Sequence, residues 1–235
     1  MTLRKKQGDP ELEQLYRELS GTYDLSENLY VIGGKLFSFM SVQDSYALLD
    51  RVSPEEFLKD EQMPYWAEIW PAAVALSSFI AEDLRVADLR IVELGAGVGM
   101  VSIVAAACGA SVLATDYSLE ALRFVSCNAR LNGVELTCDR LDWRSVQCSE
   151  QFDMLLAADV LYERVNLLLV VAAIEKLLKP GGVAYVADPR RRLAEHFVAL
   201  ARENGFSIVA HGRTCDGPNQ PVAVTIYRLS RERDA

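Results

Sequence analysis

The chain has 235 residues, of which 51% are hydrophobic, 9% are aromatic and 24% are charged. This composition is typical of a globular protein and argues against a disordered, collagen-like or coiled-coil chain. The 24 Lys and Arg residues and 33 Asp and Glu residues give a formal net charge of −9. A general nucleic-acid binder normally carries a basic surface, so this charge argues against nucleic acid and favours small molecules or basic protein segments as partners.

The cysteines and the N-terminal residues indicate the compartment. The five cysteines are widely spaced and form no CxxC pair, which argues against a zinc site and favours free thiols in a reducing compartment. Residues 1–9 lack the apolar centre of a signal peptide. The longest purely apolar run, residues 167–174, has eight residues, whereas a membrane-spanning helix needs ~20. We therefore expect a cytoplasmic protein.

Residues 1–65 are predicted to form an N-terminal helix and hairpin extension. Pro10–Ser20 has the pattern of a short helix, and residues 54–60 that of a further helical turn or two. Residues 29–32 and 36–40 flank the pair Gly33-Gly34, which suits a tight hairpin between two strands.

From residue 66 onward the pattern predicts one α/β domain that extends to residue 235. Pro71 opens its first helix, at the one helical position where a missing N–H costs nothing. Short β-rich runs then alternate with helical patterns, which indicates a parallel sheet built from βαβ units. The predicted strands are residues 89–94, 111–115, 134–138, 154–158 and 183–187. The predicted helices are residues 100–108, 118–132, 164–178, which Gly181-Gly182 should end, and 191–204.

The last two β-rich runs, residues 206–211 and 222–229, are joined by a segment that is too short for a crossover helix. They are therefore expected to be antiparallel to each other. The complete prediction is a seven-strand, mostly parallel α/β sheet that ends in an antiparallel C-terminal hairpin and carries helices on both faces.

A glycine-rich turn joins the strand at residues 89–94 to the next helix. Gly95, Gly97 and Gly99 let the backbone turn sharply, and they let a ligand approach the N–H groups at the helix N-terminus. Asp116 ends the next strand, 19 residues after Gly97, where an acid can accept both ribose hydroxyls of an adenosine group. Together these features favour an adenosine-containing cofactor over a packing turn followed by a helix-capping aspartate.

The residues around this turn distinguish between cofactors. Met100 stands where the dinucleotide pattern GxGxxG has its third glycine. Glu93 lies just before the turn, where a carboxylate would repel a pyrophosphate but attract the ammonium and sulfonium groups of S-adenosylmethionine. The sequence therefore favours S-adenosylmethionine over NAD.

Two further motifs follow in order, Leu141-Asp142-Trp143 and Ala158-Asp159-Val160-Leu161-Tyr162. Together with residues 92–99 and Asp116 they resemble the seven-strand class I methyltransferases, and more narrowly the branch of protein-lysine methyltransferases with a DxxY motif. The resemblance covers residues 66–229. It implies a Rossmann-like fold, S-adenosylmethionine as cofactor, no metal, and N-methylation of a protein lysine.

The resemblance also implies roles for individual residues. Those implied for the cofactor, from its methionine end to its ribose and adenine, are Trp70, Glu93, Gly95, Ala96, Gly97, Asp116, Tyr117, Asp142, Trp143 and Ala158. Asp159 and Tyr162 are implied as catalytic residues that orient an amine. Because a nearby carboxylate raises the pKa of an ammonium group, Asp159 suits the role of an orienting acceptor better than that of a strong base.

Two other functions remain open. A small-molecule methyltransferase that acts on an amine or a heterocycle would use the same cofactor site. A non-catalytic cofactor-binding module is the second alternative, although the intact DxxY motif argues against it. The segment Asp159-Val160-Leu161-Tyr162 lacks the prolines of the Asn/Asp-Pro-Pro-aromatic motif in related enzymes, which argues against a nucleobase or glutamine substrate.

Several residues also have purely structural interpretations. Trp143 could be a half-buried core aromatic, Tyr162 could pack at a helix start, and Asp159 could cap a helix or turn. Residues 190–192 are three arginines that could form a solvated helix start. Because arginines at a helix N-terminus oppose the helix dipole, a contact with a substrate or partner is the alternative.

The predicted hairpin should not stand alone. A two-stranded hairpin is only marginally stable, so we expect it to dock on the catalytic domain. Since Trp70 connects the end of the extension to the cofactor site, the expected place is the open mouth of that site. There the hairpin would help to form the acceptor pocket and govern the choice of substrate.

Overall fold

The computed structural model of the chain describes residues 9–45, 48, 64–216 and 220–231. In this part of the chain, seven strands form one sheet in the order β5-β4-β3-β6-β7-β9-β8, and two strands form a separate hairpin. The strands are β1 (Leu25–Ile32), β2 (Lys35–Val42), β3 (Arg90–Leu94), β4 (Ser111–Asp116), β5 (Thr137–Arg140), β6 (Phe152–Ala158), β7 (Leu178–Asp188), β8 (Ser207–Cys215) and β9 (Val222–Ser230). The α-helices are α1 (Pro10–Ser20), α2 (Pro71–Asp83), α3 (Met100–Ala107), α4 (Leu119–Asn132), α5 (Leu167–Leu177) and α6 (Ala194–Glu203).

The sheet confirms the predicted fold class. Strands β3 to β7 run parallel to one another, and β9 is antiparallel to both β7 and β8. The chain first builds outward from β3 through β4 to β5, and then returns to place β6 on the other side of β3. In a sheet of this kind, a crevice opens at the carboxyl ends of the strands where the order reverses, and ligands bind there.

Hydrophobic residues on both faces of the sheet form the core, because a parallel strand between two helical layers is buried on both sides. Ile91, Val92 and Leu94 of β3 are fully buried. Helix α5 supplies Val170, Ile174 and other buried residues to one face, as its almost continuous apolar sequence predicts. All five cysteines are free thiols, as expected. Within the described ranges, no helix is long and apolar enough to cross a membrane.

Several element boundaries differ from the predictions, and three of them change where a turn lies or where an element begins. Strand β7 begins at Leu178, so Gly181-Gly182 lies inside a strand and does not end the preceding unit. The strand expected at residues 134–138 begins only at Thr137. Helix α6 begins at Ala194 and not at residue 191, because the backbone N–H of Arg191 donates to the Asp188 carboxylate at 2.6 Å and holds the chain in a turn. The turn predicted at residues 54–60 lies outside the described residues.

The N-terminal extension packs on the sheet domain, but at a different place from the one expected. Phe37 and Phe39 of β2 are buried against Met100 and Ile103 of α3. Among the described residues, none before Tyr65 lines the cavity at the carboxyl ends of the strands. The prediction that the hairpin forms the mouth of the cofactor site is therefore wrong for residues 9–45. The reason is that its buried face matches the outer apolar faces of α3 and α4.

Asn128 of α4 joins this hairpin to the sheet domain. Its side chain is fully buried, accepts from Met40 N at 2.7 Å, and donates to Met40 O at 2.9 Å and to Val98 O at 2.8 Å. All of its partners are backbone groups that water cannot reach once the hairpin has docked. The asparagine therefore satisfies polar groups of both the hairpin and the glycine-rich turn.

We expect Asn128→Ala to lower the free energy of unfolding by about 3–5 kcal/mol, because buried backbone groups left without a partner cost about 1–3 kcal/mol each. Chemical denaturation of the full chain measures this loss. The control is Asn28→Ala, at an exposed asparagine of β1, which should change the stability little. A loss below about 1 kcal/mol for Asn128→Ala would contradict the proposed anchoring of the hairpin.

Candidate functional site

One cavity lies at the carboxyl ends of β3, β4 and β6. It is lined by all twelve of the site residues predicted from the sequence, namely Trp70, Glu93, Gly95, Ala96, Gly97, Asp116, Tyr117, Asp142, Trp143, Ala158, Asp159 and Tyr162. The fold thus brings these separate segments to one place, as expected at a reversal of strand order. The role of each residue stays a prediction.

The glycine-rich turn forms one wall of the cavity. Gly95 and Gly97 have φ values of 68° and 54°, in the left-handed region that favours glycine. A Cβ atom at Gly95 would lie 3.2 Å from the Trp143 ring and 3.3 Å from Val160, so a side chain there would crowd both neighbours. Gly97 N donates to Asp116 Oδ2 at 2.9 Å, which ties the turn to the end of β4.

Glu93 lies beneath this turn and is almost completely buried. Its carboxylate accepts hydrogen bonds from the backbone N of Ser102, at 2.9 Å, and from the Ser102 hydroxyl. Burial raises the pKa of Glu93 to about 8, although the bonds from Ser102 favour the charged form. Without a ligand the group is therefore mostly protonated at pH 7, and the charge that was expected to repel a pyrophosphate is largely absent. A cationic ligand would favour its ionised form.

We expect the free energy of unfolding to fall as the pH rises from about 5 to 8, and to fall less in Glu93→Gln. The unfolded chain ionises Glu93 near its ordinary pKa of 4.5, whereas the folded protein keeps the proton until about pH 8. Since the folded state binds more protons in this window, stability decreases with pH, by on the order of 4 kcal/mol for this group. Chemical denaturation at several pH values tests this, with the exposed Glu135→Gln as control. Equal slopes in Glu93→Gln and the wild type would contradict it.

Asp116 has a related environment at the end of β4. Its two oxygens accept from Gly97 N and from Ser118 N, each at 2.9 Å. Burial raises its pKa to about 6, while these backbone bonds favour the charged form. The carboxylate is therefore held by the turn and by the start of α4, and it lines the cavity between them.

Charged and aromatic side chains form the next part of the wall. Arg144 binds both oxygens of Asp142, with its Nε at 2.9 and 3.0 Å. Burial opposes the charge of Asp142, but the bonds from Arg144 outweigh it and lower the pKa of Asp142. The guanidinium groups of Arg140 and Arg144 also lie 4.5 and 4.9 Å from the centre of the Tyr117 ring. Tyr117 is thus held in place at the edge of the cavity.

Three aromatic rings lie together at the other end of the cavity. The Tyr65 ring is 5.1 Å from that of Tyr162 and 6.2 Å from that of Trp70, with both pairs edge to face. Trp70 Nε1 donates to the carbonyl of Tyr65 at 2.8 Å. Burial first, and then the neighbouring acids, raise the pKa of Tyr162, so its hydroxyl stays protonated at neutral pH. Such rings can accommodate a cation on their faces.

Asp159 lies next to these rings, directly after β6. It is a non-glycine residue with a φ of 59°, and its side chain is only 4% exposed. Its Oδ1 accepts a hydrogen bond from Arg191 Nε at 2.5 Å. This side-chain partner differs from the backbone N–H that Asp159 would bind if it only capped a helix. Its Oδ2 is buried and has no hydrogen-bond partner among the described residues. A buried acceptor without a partner is costly unless a ligand supplies one.

Several residues of this site are not predicted from the sequence. Tyr65 belongs to a run of aromatic residues before α2, and that run was a usable signal. Arg144 follows directly after the motif at residues 141–143. Arg191 was noted only as one of three consecutive arginines, and its contact with Asp159 spans 32 residues of sequence. No local pattern predicts a contact between residues so far apart in the sequence.

Comparisons with known proteins agree with this fold. Mouse protein-lysine methyltransferase METTL21E is 36% identical over 111 residues, which are 42% of this chain and 46% of the mouse protein. A ubiquinone biosynthesis O-methyltransferase of Agrobacterium fabrum is 32% identical over 123 residues, 49% of this chain and 47% of that protein. The matches thus span about half the length of these relatives.

Among solved structures, a Thermus thermophilus 16S rRNA N2 G1207 methyltransferase in complex with AdoMet and guanosine has a TM-score of 0.61 and 16% identity. The similarity covers 88% of this chain and 51% of that one, and at this identity it supports the fold alone. The profile of the lysine methyltransferase family matches residues 57–204, which is more than half of the chain. The chain therefore belongs to the lysine methyltransferase family.

Proposed function

We propose that this protein transfers a methyl group from S-adenosylmethionine to the side-chain nitrogen of a protein lysine. The observation that carries the proposal is the buried, unpartnered Oδ2 of Asp159 in the same cavity as the glycine-rich turn. This oxygen can accept a hydrogen bond from an amine that approaches through the aromatic rings. Family membership supports the same activity.

The lining of the cavity is consistent with the cofactor. The missing side chain of Gly95 lets Trp143 and Val160 pack closely against the glycine-rich turn, and the Trp143 ring offers a flat surface in the lining of the cavity. Asp116 would accept from the ribose hydroxyls, and Asp142 and Trp143 would contact the adenine. Glu93 would balance the ammonium group of the methionine part, since a neighbouring cation favours its ionised form.

S-adenosylmethionine would supply a methyl group on a positively charged sulfur. The protein has to hold an acceptor nitrogen in line with that methyl group and keep water out. Such positioning can lower the activation free energy by ~7–11 kcal/mol. Asp159 would orient the amine through its free oxygen. Tyr162, which stays a phenol at neutral pH, would accept or donate one further hydrogen bond.

The lysine substrate is supported by the family and by the mouse relative, whose name describes a protein-lysine methyltransferase. The net charge of −9 also suits a basic protein segment better than a nucleic acid.

A small-molecule methyltransferase is the second candidate, favoured by the similarity to the Agrobacterium O-methyltransferase. A cytoplasmic location is part of the proposal and is supported by the five free cysteines.

The test is methyl transfer to a whole cell lysate, which retains its small molecules, with S-adenosylmethionine labelled in its methyl group. The lysate is then separated into protein and small-molecule fractions, and the protein fraction is hydrolysed to amino acids. We expect the label in methylated lysine. A labelled small-molecule product other than S-adenosylmethionine, with no label in protein, would favour the second candidate. Calorimetric binding of S-adenosylmethionine without any transfer would favour a non-catalytic module.

A further inference from the structure

Asp159 and Arg191 form an ion pair at the acceptor end of the cavity. Arg191 Nε lies 2.5 Å from Asp159 Oδ1. The bond from Asp159 raises the pKa of Arg191, so this guanidinium is charged at any working pH. Only one carboxylate oxygen is used, because Oδ2 of Asp159 has no partner in the described part of the chain. The site therefore contains a carboxylate with one oxygen fixed by a cation and the other oxygen free.

Asp188 determines where Arg191 lies. It ends β7, is fully buried, and accepts from the backbone N of Arg191 at 2.6 Å. Asp159 N in turn donates to the carbonyl of Ala187 at 2.9 Å. The ends of β6 and β7 thus fix the positions of Asp159 and Arg191 relative to each other. Asp159 and Arg190 both have a positive φ, which is an uncommon backbone conformation for residues other than glycine.

This arrangement matters because methyl transfer needs a neutral amine. A lysine side chain enters as an ammonium ion, and its nitrogen has no lone pair until one proton has left. A carboxylate beside an ammonium stabilises the charged form and so delays the loss of the proton. Asp159 alone would orient the acceptor but hold it in its unreactive state. A guanidinium on the same carboxylate offsets that effect.

We propose that Arg191 is a positioning residue that fixes Asp159 through one oxygen and offsets its charge, so that the acceptor ammonium loses its proton more readily. This inference rests on the proposed function. In the step concerned, the ammonium first gives one proton to water. The acceptor nitrogen then forms a bond to the methyl carbon while the bond from carbon to sulfur breaks and its electron pair stays on sulfur. The product is a methylammonium group and a neutral thioether.

Other charged or titratable groups face the same place from each neighbouring element. They are Tyr65 before α2, Asp116 at the end of β4, Tyr162 and Glu163 after β6, and Asp188 at the end of β7, to which Arg190 contributes a backbone hydrogen bond. Most of these are acids or phenols. Arg191 is the cation that directly contacts Asp159, so its removal should shift the local balance toward negative charge.

The first measurement is the pH dependence of the methylation rate, with desalted lysate protein as acceptor and methyl-labelled S-adenosylmethionine as donor. In Arg191→Met the acid limb of the profile should move up by about one pH unit, which is the low end of the shift caused by a neighbouring charge. Arg191→Lys keeps a positive charge and should retain most of the wild-type profile. The matched control is Arg192→Met, at the exposed neighbouring arginine, and it should leave the profile unchanged.

The second measurement does not depend on activity. Sinefungin carries an ammonium group where S-adenosylmethionine carries its methylated sulfonium, whereas S-adenosylhomocysteine is neutral there. Arg191→Met should raise the calorimetric affinity for sinefungin relative to S-adenosylhomocysteine by about tenfold, the equivalent of one pKa unit. Arg191→Lys and Arg192→Met should leave this ratio within about threefold of the wild type.

The outcomes separate the two proposals. Wild-type protein that labels no lysine would contradict the proposed function and this inference with it. Labelled lysine with the same acid limb in Arg191→Met and the wild type would contradict only the role of Arg191. An unchanged ratio of ligand affinities in Arg191→Met would also overturn that role. A variant that binds S-adenosylhomocysteine normally has folded, so an unshifted profile in it cannot be attributed to misfolding.

Discussion

Asp159→Asn is expected to slow lysine methylation by about 100-fold or more and to change the affinity for S-adenosylmethionine by less than about threefold. A misplacement of the reacting group by about 1 Å can lower a rate by about 10²-fold. The amide keeps the size of the side chain but loses the charge that pairs with Arg191, and one of its two positions becomes a donor that repels an incoming ammonium. The acceptor should therefore bind in a poorer orientation while the cofactor contacts remain.

Initial rates under saturating S-adenosylmethionine, together with calorimetric affinity, measure both quantities. The matched control is Asp153→Asn near the opposite end of β6, where the carboxylate binds Lys179. Turnover at the wild-type level in Asp159→Asn would mean that Asp159 is structural. A loss of cofactor affinity as large as the loss of rate would move Asp159 from the acceptor site to the cofactor site.

Asp116→Ala is expected to weaken the binding of S-adenosylmethionine by about 2–3 kcal/mol, the usual contribution of hydrogen bonds to a charged acceptor. Two effects act together. The ribose hydroxyls lose their acceptor, and Gly97 N loses the bond that ties the glycine-rich turn to β4. The corresponding decrease in affinity is about 30- to 150-fold.

Calorimetric titration of the folded variant measures this change, and Asp139→Ala, at an exposed acid on the neighbouring β5, is the control. An unchanged affinity in Asp116→Ala would remove the ribose assignment. Tight binding of NAD by the wild-type protein would contradict the choice of cofactor. NAD could bind beside Glu93 only if Glu93 stayed protonated, because an ionised carboxylate would repel the pyrophosphate. The raised pKa of Glu93 permits the protonated form.

Local patterns in the sequence predicted the parts of the fold that depend on local chemistry. The glycine-rich turn is one example, since its positive φ values at Gly95 and Gly97 require residues without a side chain. The antiparallel arrangement of β8 and β9 is another, because a short connection leaves no room for a crossover helix. Boundaries were less accurate where a side chain interrupts the pattern, as Asp188 does before α6.

The sequence by itself determined the fold class and twelve of the residues around the cavity, because strand ends and the glycine-rich turn are encoded within a few residues. Only the tertiary structure decided three further points. It placed the hairpin on α3 and α4, raised the pKa of Glu93 through burial, and joined Arg191 to Asp159. Each of these depends on the distance between segments remote in sequence, or on the exclusion of water between them, and neither quantity exists before the chain has folded.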